Sequence, residues 1–315
     1  MTPSRFGRSL LGLSVLTRTA VLLMLITFAM WTEYSNLKLG YNNPRLVELA
    51  QGPAMRVFYE ATESVMGLFG DPAEVVRRNA GMTWSVQVMG LPFTDPVAAL
   101  SLLIKNGAWP LGFALGLIIP VGLALIFGRV FCSYVCPASL LFFSINRIRR
   151  LFSRYFYFPN VPSPRGMAWG VLAGGLGVAV LYGHGVWAFI LPYFAAGQTI
   201  FHGIAFGMAS FAGGALLLFA LVDLFLGSSF TCRTLCPTGR LLGAIGRKSL
   251  ISVRRDAARC VEGCNSCETI CHFDVSPRLD QTLDCSLCGE CLVVCPTRCL
   301  TIGPAGAVVN AGGQQ

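Results

Sequence analysis

The stretch Cys285-Ser286-Leu287-Cys288-Gly289-Glu290-Cys291-Leu292-Val293-Val294-Cys295-Pro296 decides how this chain is read. It spells Cys-x2-Cys-x2-Cys-x3-Cys-Pro, the bacterial ferredoxin spacing for a [4Fe–4S] cluster. Three thiolates on a tight turn bind three irons of a cubane, and the fourth, set apart before a proline, reaches the cluster of a second run. That second run lies upstream as Cys260, Cys264, Cys267 and Cys271. The crossing predicts one ligand set of Cys260, Cys264, Cys267 and Cys295 and another of Cys285, Cys288, Cys291 and Cys271.

The upstream run departs from the pattern in having three residues between Cys260 and Cys264 and His272 where proline is usual. One extra residue loops out at Gly263. Zinc sites pair two short-spaced cysteine couples in one four-thiolate site and need no such rhythm. A disulfide framework needs an oxidising compartment, against the topology below.

Working outward, the chain is 54% hydrophobic and 12% charged, about half the charged share of a soluble domain. That is membrane composition. The net charge of +9 sits beside apolar spans and forms no single basic domain, so it favours a membrane surface over nucleic acid.

Residues 1–9 make a cytoplasmic start, and 10–31 a first transmembrane helix whose only charge, Arg18, is expected to snorkel toward the headgroups. Residues 32–108 form a periplasmic loop, amphipathic and helical over 44–67 and broken at Gly70-Asp71-Pro72. Within it the apolar run 97–104 is too short to span, and fits an interfacial or re-entrant segment. A second span follows at 109–127, with Pro120 expected to kink it. The segment 128–166 holds Arg147, Arg149, Arg150, Arg154 and Arg165 and no acidic residue, so it is cytoplasmic.

The stretches 167–194 and 203–222 are uncharged, and 167–194 and 203–225, the latter ending just beyond Asp223, are read as the third and fourth spans, with 195–202 an outside turn. A cytoplasmic linker at 226–255, the two-cluster domain at 256–302 and a disordered tail at 303–315 complete the chain. The fold class expected is an α-helical membrane protein with four transmembrane helices and a carboxyl-terminal bacterial ferredoxin-like α+β domain. Both termini are placed on the cytoplasmic side of a bacterial inner membrane.

Two Cys-x3-Cys-Pro motifs, Cys132-Cys136-Pro137 and Cys232-Cys236-Pro237, each follow an inward-going helix and lie one hundred residues apart. Thiols at i and i+4 share a helix face. Four soft ligands suffice for a further cluster or another thiophilic metal, although a free cysteine is also a common buried small residue. Asp223, an ionisable group near the inner end of a span, is a candidate acceptor for a quinol proton, or else a partner of Arg129 or Arg233. His184 and His202 fit structural hydrogen bonding better than haem ligation, and Trp109, Trp169, Trp187, Tyr182 and Tyr193 fit interfacial aromatics and packing.

Taken together, Gly128-Arg129-x-x-Cys132-Ser133-x-x-Cys136-Pro137, Cys232-x3-Cys236-Pro237-x-Gly239-Arg240, Thr94-Asp95-Pro96 and the terminal cysteine runs resemble the NapH family of ferredoxin-type membrane proteins. MauN and the membrane half of NosR look similar. The resemblance covers the chain from about Leu91 onward. It implies an inner-membrane quinol dehydrogenase or electron conduit, with its ferredoxin domain in the cytoplasm, the quinone pool as electron source and a periplasmic redox system as partner, reached through a second iron–sulfur subunit.

Two other functions use the same residues. One is a maturation factor for a periplasmic metallo- or quinoprotein enzyme, as the MauN likeness allows. The other is a membrane regulator that senses redox state or iron. No phosphate loop and no nucleophile–base constellation supports a hydrolase or transferase.

Overall fold

The computed structural model describes residues 5–79, 81–83, 85–107, 111–153, 155–156, 161, 166–207, 210–261, 263–273, 275–277 and 284–304. The side chains of Met82, His184, Ala205, Phe206 and Lys248 fall outside that description, as do Trp109 and the 305–315 part of the expected tail.

Helix α1, Arg5–Tyr41, runs ten residues past the expected first span, because the polar residues Glu33, Asn36 and Lys38 end the apolar run without ending the helix and no proline comes between Arg5 and Pro44. It is the one described helix long and apolar enough to cross a bilayer by length and composition. Beyond it, α2 (Pro44–Gln51), α3 (Pro53–Gly67) and α4 (Pro72–Arg78) fold back on its outer end. Gly52-Pro53 splits the expected 44–67 helix in two: Gly52 sits at φ +95, which L side chains rarely adopt, and Pro53 then starts α3. Tyr34, Leu37, Val47, Tyr59, Met66 and Val75 form the core of this cap. A three-stranded antiparallel sheet follows, β1 (Gly81–Met82), β2 (Ser85–Val88) and β3 (Leu91–Thr94).

The strand leads into α5 (Pro96–Asn106), whose start is buried, so the short apolar run enters the helical bundle instead of lying flat on its surface. Next come α6 (Leu111–Phe127), α7 (Val130–Tyr134), α8 (Ala138–Phe152) and α9 (Met167–Tyr182). The expected third span does not run unbroken to 194. It stops before Gly183 (φ +94), and a 3-10 turn and α10 (Trp187–Ile190) fold back so that Trp187 packs on Gly175 and donates to Ser101 Oγ at 3.1 Å.

Residues 195–202 are likewise no turn, since they lie within α11 (Pro192–Phe206). The last apolar helix is α12 (Phe211–Phe225), shorter than the expected 203–225 span. A π-helical turn at Thr231–Leu235 and α13 (Pro237–Ile245) then lead to β4 (Ile251–Arg255), α14 (Ser266–Ile270), α15 (Glu290–Val294) and β5 (Leu300–Pro304). Strands β4 and β5 pair antiparallel, which moves the start of the cysteine-rich unit back to Ile251 and draws Gly303 and Pro304 out of the expected tail.

The bundle is duplicated. Helices α5 and α11 each begin with proline and end at a glycine in the left-handed region, Gly107 (φ 70) and Gly207 (φ 61), one hundred residues apart like the cysteine motifs. The halves are interwoven. Helix α1 packs on α11 while α9 packs on α5, and α8 packs on α12 while α13 packs on α6. Spacing explains the contacts: Ala168, Leu172, Gly175 and Ala179 make the buried stripe of α9, and the small residues Gly116 and Ala124 let neighbours approach α6 closely.

Candidate iron–sulfur centre

The cysteine-rich unit holds two thiol-lined pockets. Cys271 stands with Cys285, Cys288 and Cys291 around one, and Cys295 stands with Cys260, Cys264 and Cys267 around the other. Local backbone makes this grouping. Leu287 (φ 55) and Gly289 (φ 83) turn the chain between cysteines, and α15 then places Cys291 at its start and Cys295 just past its end. Backbone amides already point at sulfur, with Val275 N–H directed at Cys271 Sγ (3.4 Å) and Leu287 N–H at Cys285 Sγ (3.5 Å). Such donors stabilise a thiolate and tune a bound cluster.

Burial pushes the thiols of Cys285 and Cys288 up to about 12, so in this environment each stays protonated unless a metal takes the proton's place. Four soft donors of this kind fit an iron–sulfur group. A lone tetrahedral zinc would hold its sulfurs ~3.8 Å apart, given Zn–S bonds of about 2.3 Å. Among the described residues no group of three or more His, Cys, Asp or Glu side chains is gathered as a single metal ion requires. Cys299, to which sequence reasoning assigned no role, lines the second pocket with its sulfur 3.5 Å from that of Cys295.

The two Cys-x3-Cys-Pro motifs converge at the cysteine-rich unit. Cys132, Cys136, Cys232 and Cys236 interact electrostatically with one another, and burial pushes the Cys236 thiol up to about 12. Arg129 ties the arrangement together while only 1% exposed. Its Nη2 donates to the Cys232 carbonyl (3.0 Å), its Nη1 lies 3.6 Å from Asp284, and its guanidinium covers Phe273 at 4.7 Å. Further bonds seal the seam: the Ser133 and Ser286 hydroxyls meet at 2.6 Å, and Tyr134 donates to the Leu287 carbonyl at 2.9 Å.

His272, the departure from the usual proline, has a structural reason. Its ring stacks on Phe143 (4.2 Å between centroids), and its nitrogens meet Asn146 (3.2 Å) and Glu290 (3.0 Å).

Several expectations need correcting. Arg18 does not snorkel. It is 1% exposed, bonds Ser14 and Ser139, and covers Phe143 at 4.3 Å, because the cysteine-rich unit and α8 bury the inner part of α1. Asp223 accepts the Thr231 N–H at 2.7 Å, with Arg149 and Arg233 the charges nearest it, so it holds the turn that carries Cys232. Of the two partners considered for it, Arg129 serves Asp284 instead. Of the aromatics expected at interfaces or in packing, Trp187 and Tyr193 take the packing role, both being buried, and Tyr193 hydrogen-bonds Thr238 at 3.0 Å. His202 Nδ1 bonds Gln198 of its own helix. Sequence reasoning passed over Arg18, Arg129 and Glu290 as members of the centre; an arginine inside an apolar run was the signal for the first.

A family model described as a 4Fe-4S binding domain matches residues 109–155, the segment that carries Cys132 and Cys136. The ferredoxin-type protein NapH of Escherichia coli K12 is 32% identical over 226 residues, covering 67% of this chain and 75% of that protein. NapH of Haemophilus influenzae is 29% identical over 65% of this chain and 73% of its own length. The methylamine utilization ferredoxin-type protein MauN of Methylorubrum extorquens is 31% identical over 58% and 61%. No solved structure matches the chain. At 32% identity, with three quarters of that Escherichia coli relative covered, this chain belongs to the NapH family of ferredoxin-type proteins.

Proposed function

We propose that this protein is a membrane iron–sulfur electron relay that takes electrons from the quinol pool and passes them toward a periplasmic redox partner. In this reading two [4Fe–4S] clusters are held by Cys260, Cys264, Cys267 and Cys295 and by Cys285, Cys288, Cys291 and Cys271. Cys132, Cys136, Cys232 and Cys236 hold a third iron–sulfur or metal group. The observation that carries it is the seam at Ser133–Ser286 and Tyr134–Leu287, which sets one four-thiol pocket directly beneath the paired Cys-x3-Cys-Pro loops.

Bound at these thiols, such groups supply one-electron chemistry. The chain contributes the rest: amide donors toward sulfur, the Arg129 cation beside the converging cysteines, and apolar helices that exclude water. The passes are assigned to α1, α6, α9 and α12, with α5 and α11 as re-entrant half-helices and both termini cytoplasmic. Outward-facing Leu23, Leu111, Ile118, Leu181, Phe211 and Leu217, all well exposed, support a lipid surface there.

The test is anaerobic purification followed by electron paramagnetic resonance with excess reduced quinol. About eight irons count two clusters, and about twelve count three. Reduction of the clusters by quinol is expected; clusters that stay oxidised overturn the relay.

A further inference from the structure

A cavity of about 300 Å³ lies between the inner part of α1, the small sheet, α6 and the Cys132–Cys136 loop. Ligand pockets begin at about that size. Its walls are almost wholly apolar, with Met24, Phe93, Ile119 and Leu123 prominent, and Phe131, Val135 and Pro137 bring the cysteine loop to its edge.

The polar side chains at its wall are those of Thr83, Thr94, Asp95 and Tyr193, the last three adjoining one another at the start of α5. Asp95 is 7% exposed. Its Oδ1 accepts the N–H groups of Val97 and Ala98, both at 2.9 Å, as the cap of α5. Its Oδ2 is buried without a hydrogen-bond partner of good geometry, the Tyr193 and Thr238 hydroxyls being the side-chain donors nearest the carboxylate, and Thr94 Oγ1 is likewise unpaired. Capping uses one carboxylate oxygen and leaves the other for something else. A buried carboxylate oxygen without a donor is a cost that a bound donor relieves.

We propose that this cavity binds the head of a hydroquinone, with a ring hydroxyl donating to Asp95 Oδ2 and Thr94 and Tyr193 as neighbouring polar contacts. The site rests on the relay reading above and names where its electron donor enters. A hydroquinone meets both requirements of the cavity, since its ring is apolar and its hydroxyl supplies the missing donor. A lipid acyl chain would fill the apolar volume and leave Oδ2 unpaired. The contact also sets the ligand against the loop of Cys132 and Cys136. Asp95 takes the place of Asp223 as the carboxylate that meets quinol, because Asp223 does not line the cavity.

The experiment uses the full chain, loaded with iron–sulfur groups, in lipid nanodiscs. Binding of the fluorescent quinol analogue 2-heptyl-4-hydroxyquinoline N-oxide is measured by quenching on wild type, Asp95→Asn and Leu123→Trp, the last to fill the cavity. Both variants are expected to bind at least tenfold more weakly, with iron content and visible spectrum retained. If Asp95→Asn loses its iron, Leu123→Trp and Thr94→Val carry the test at the same cavity. Wild-type affinity in cavity variants that keep their iron overturns the site. So does a wild-type cavity from which the analogue cannot displace co-purified phospholipid. The relay stands or falls separately, on whether quinol reduces the wild-type clusters at all.

Discussion

Arg129 Nη2 donates to the carbonyl of Cys232 at 3.0 Å, so the arginine of one Cys-x3-Cys-Pro motif holds the backbone of the other. The bond links the two halves of the duplication at the cysteines they share.

Removing that arginine breaks three contacts at once. Arg129→Ala is expected to cost about 1–3 kcal/mol, because the Cys232 carbonyl loses its donor while Asp284 keeps Arg240 at 2.8 Å. Arg129→Lys should recover only part, since an ammonium cannot reach both. Thermal unfolding of the detergent-solubilised protein measures both variants, and wild-type stability in Arg129→Ala refutes the bridging role.

Cys299 lies close enough to Cys295 to act as a spare ligand. Cys295→Ser alone is expected to keep most of its iron, whereas Cys295→Ser with Cys299→Ser loses one cluster, about four irons. Iron and sulfide analysis under anaerobic conditions decides the matter. Cys271→Ser should lower the other cluster's content and leave this one alone, and equal losses from both would argue against crossed ligand sets.

The close approach of α6 to the segment after α13 depends on Gly246. A Cβ there would meet Gly128 Cα at 2.5 Å and the Ala124 carbonyl oxygen at 2.7 Å, both backbone atoms that cannot swing away. Gly246→Ala should therefore destabilise by about 1–3 kcal/mol, as overpacking does. Gly67→Ala, where a Cβ meets nothing within 4 Å, is the control and should be silent. Comparable losses in both would show that packing at Gly246 is not the cause.

His272 docks the cysteine-rich unit through Phe143, Asn146 and Glu290. His272→Ala is expected to loosen that unit by about 1–3 kcal/mol, read as faster hydrogen exchange in α8 and α15. Unchanged exchange would make His272 a bystander.

The outer cap carries a pH dependence of known sign. The hydrogen bond from Lys38 (2.8 Å) holds Glu63 below the usual carboxylate range, against a smaller upward push from burial. A lowered folded value means that the stabilisation is present above the unfolded value of about 4.3 and is lost as pH falls through the folded one. With both side chains about a third exposed, screening limits the effect to under about 1 kcal/mol. Hydrogen exchange in α3 should rise below about pH 4 in wild type and be flat in Glu63→Gln. The same rise in the variant would assign it elsewhere.

Much of the cysteine-rich unit was legible because ligand spacing is local: a tight turn brings i, i+3 and i+6 together whatever surrounds it. The duplication was legible too, from two Cys-x3-Cys-Pro motifs one hundred residues apart. The break at Gly183 was harder to see. An uncharged run reads as one span, and hydropathy cannot distinguish a helix that continues from one that folds back to pack Trp187 on Gly175. Arg18 misled for a related reason. A lone arginine in an apolar run snorkels when lipid surrounds it, and only the neighbours Ser14, Ser139 and Phe143 make burial affordable.

By itself, the order of residues determined the ferredoxin-type chemistry and the mostly helical class, since thiol spacing and charge-free length are properties of a line. Tertiary structure alone decided that Cys299 joins the second thiol pocket, that Arg129 joins both Cys-x3-Cys-Pro motifs, and that Asp95 keeps a carboxylate oxygen aside at an apolar cavity. Those are contacts between residues up to a hundred positions or more apart. They arise when close packing forces helices from the two halves past one another, and no local pattern encodes which atoms then meet.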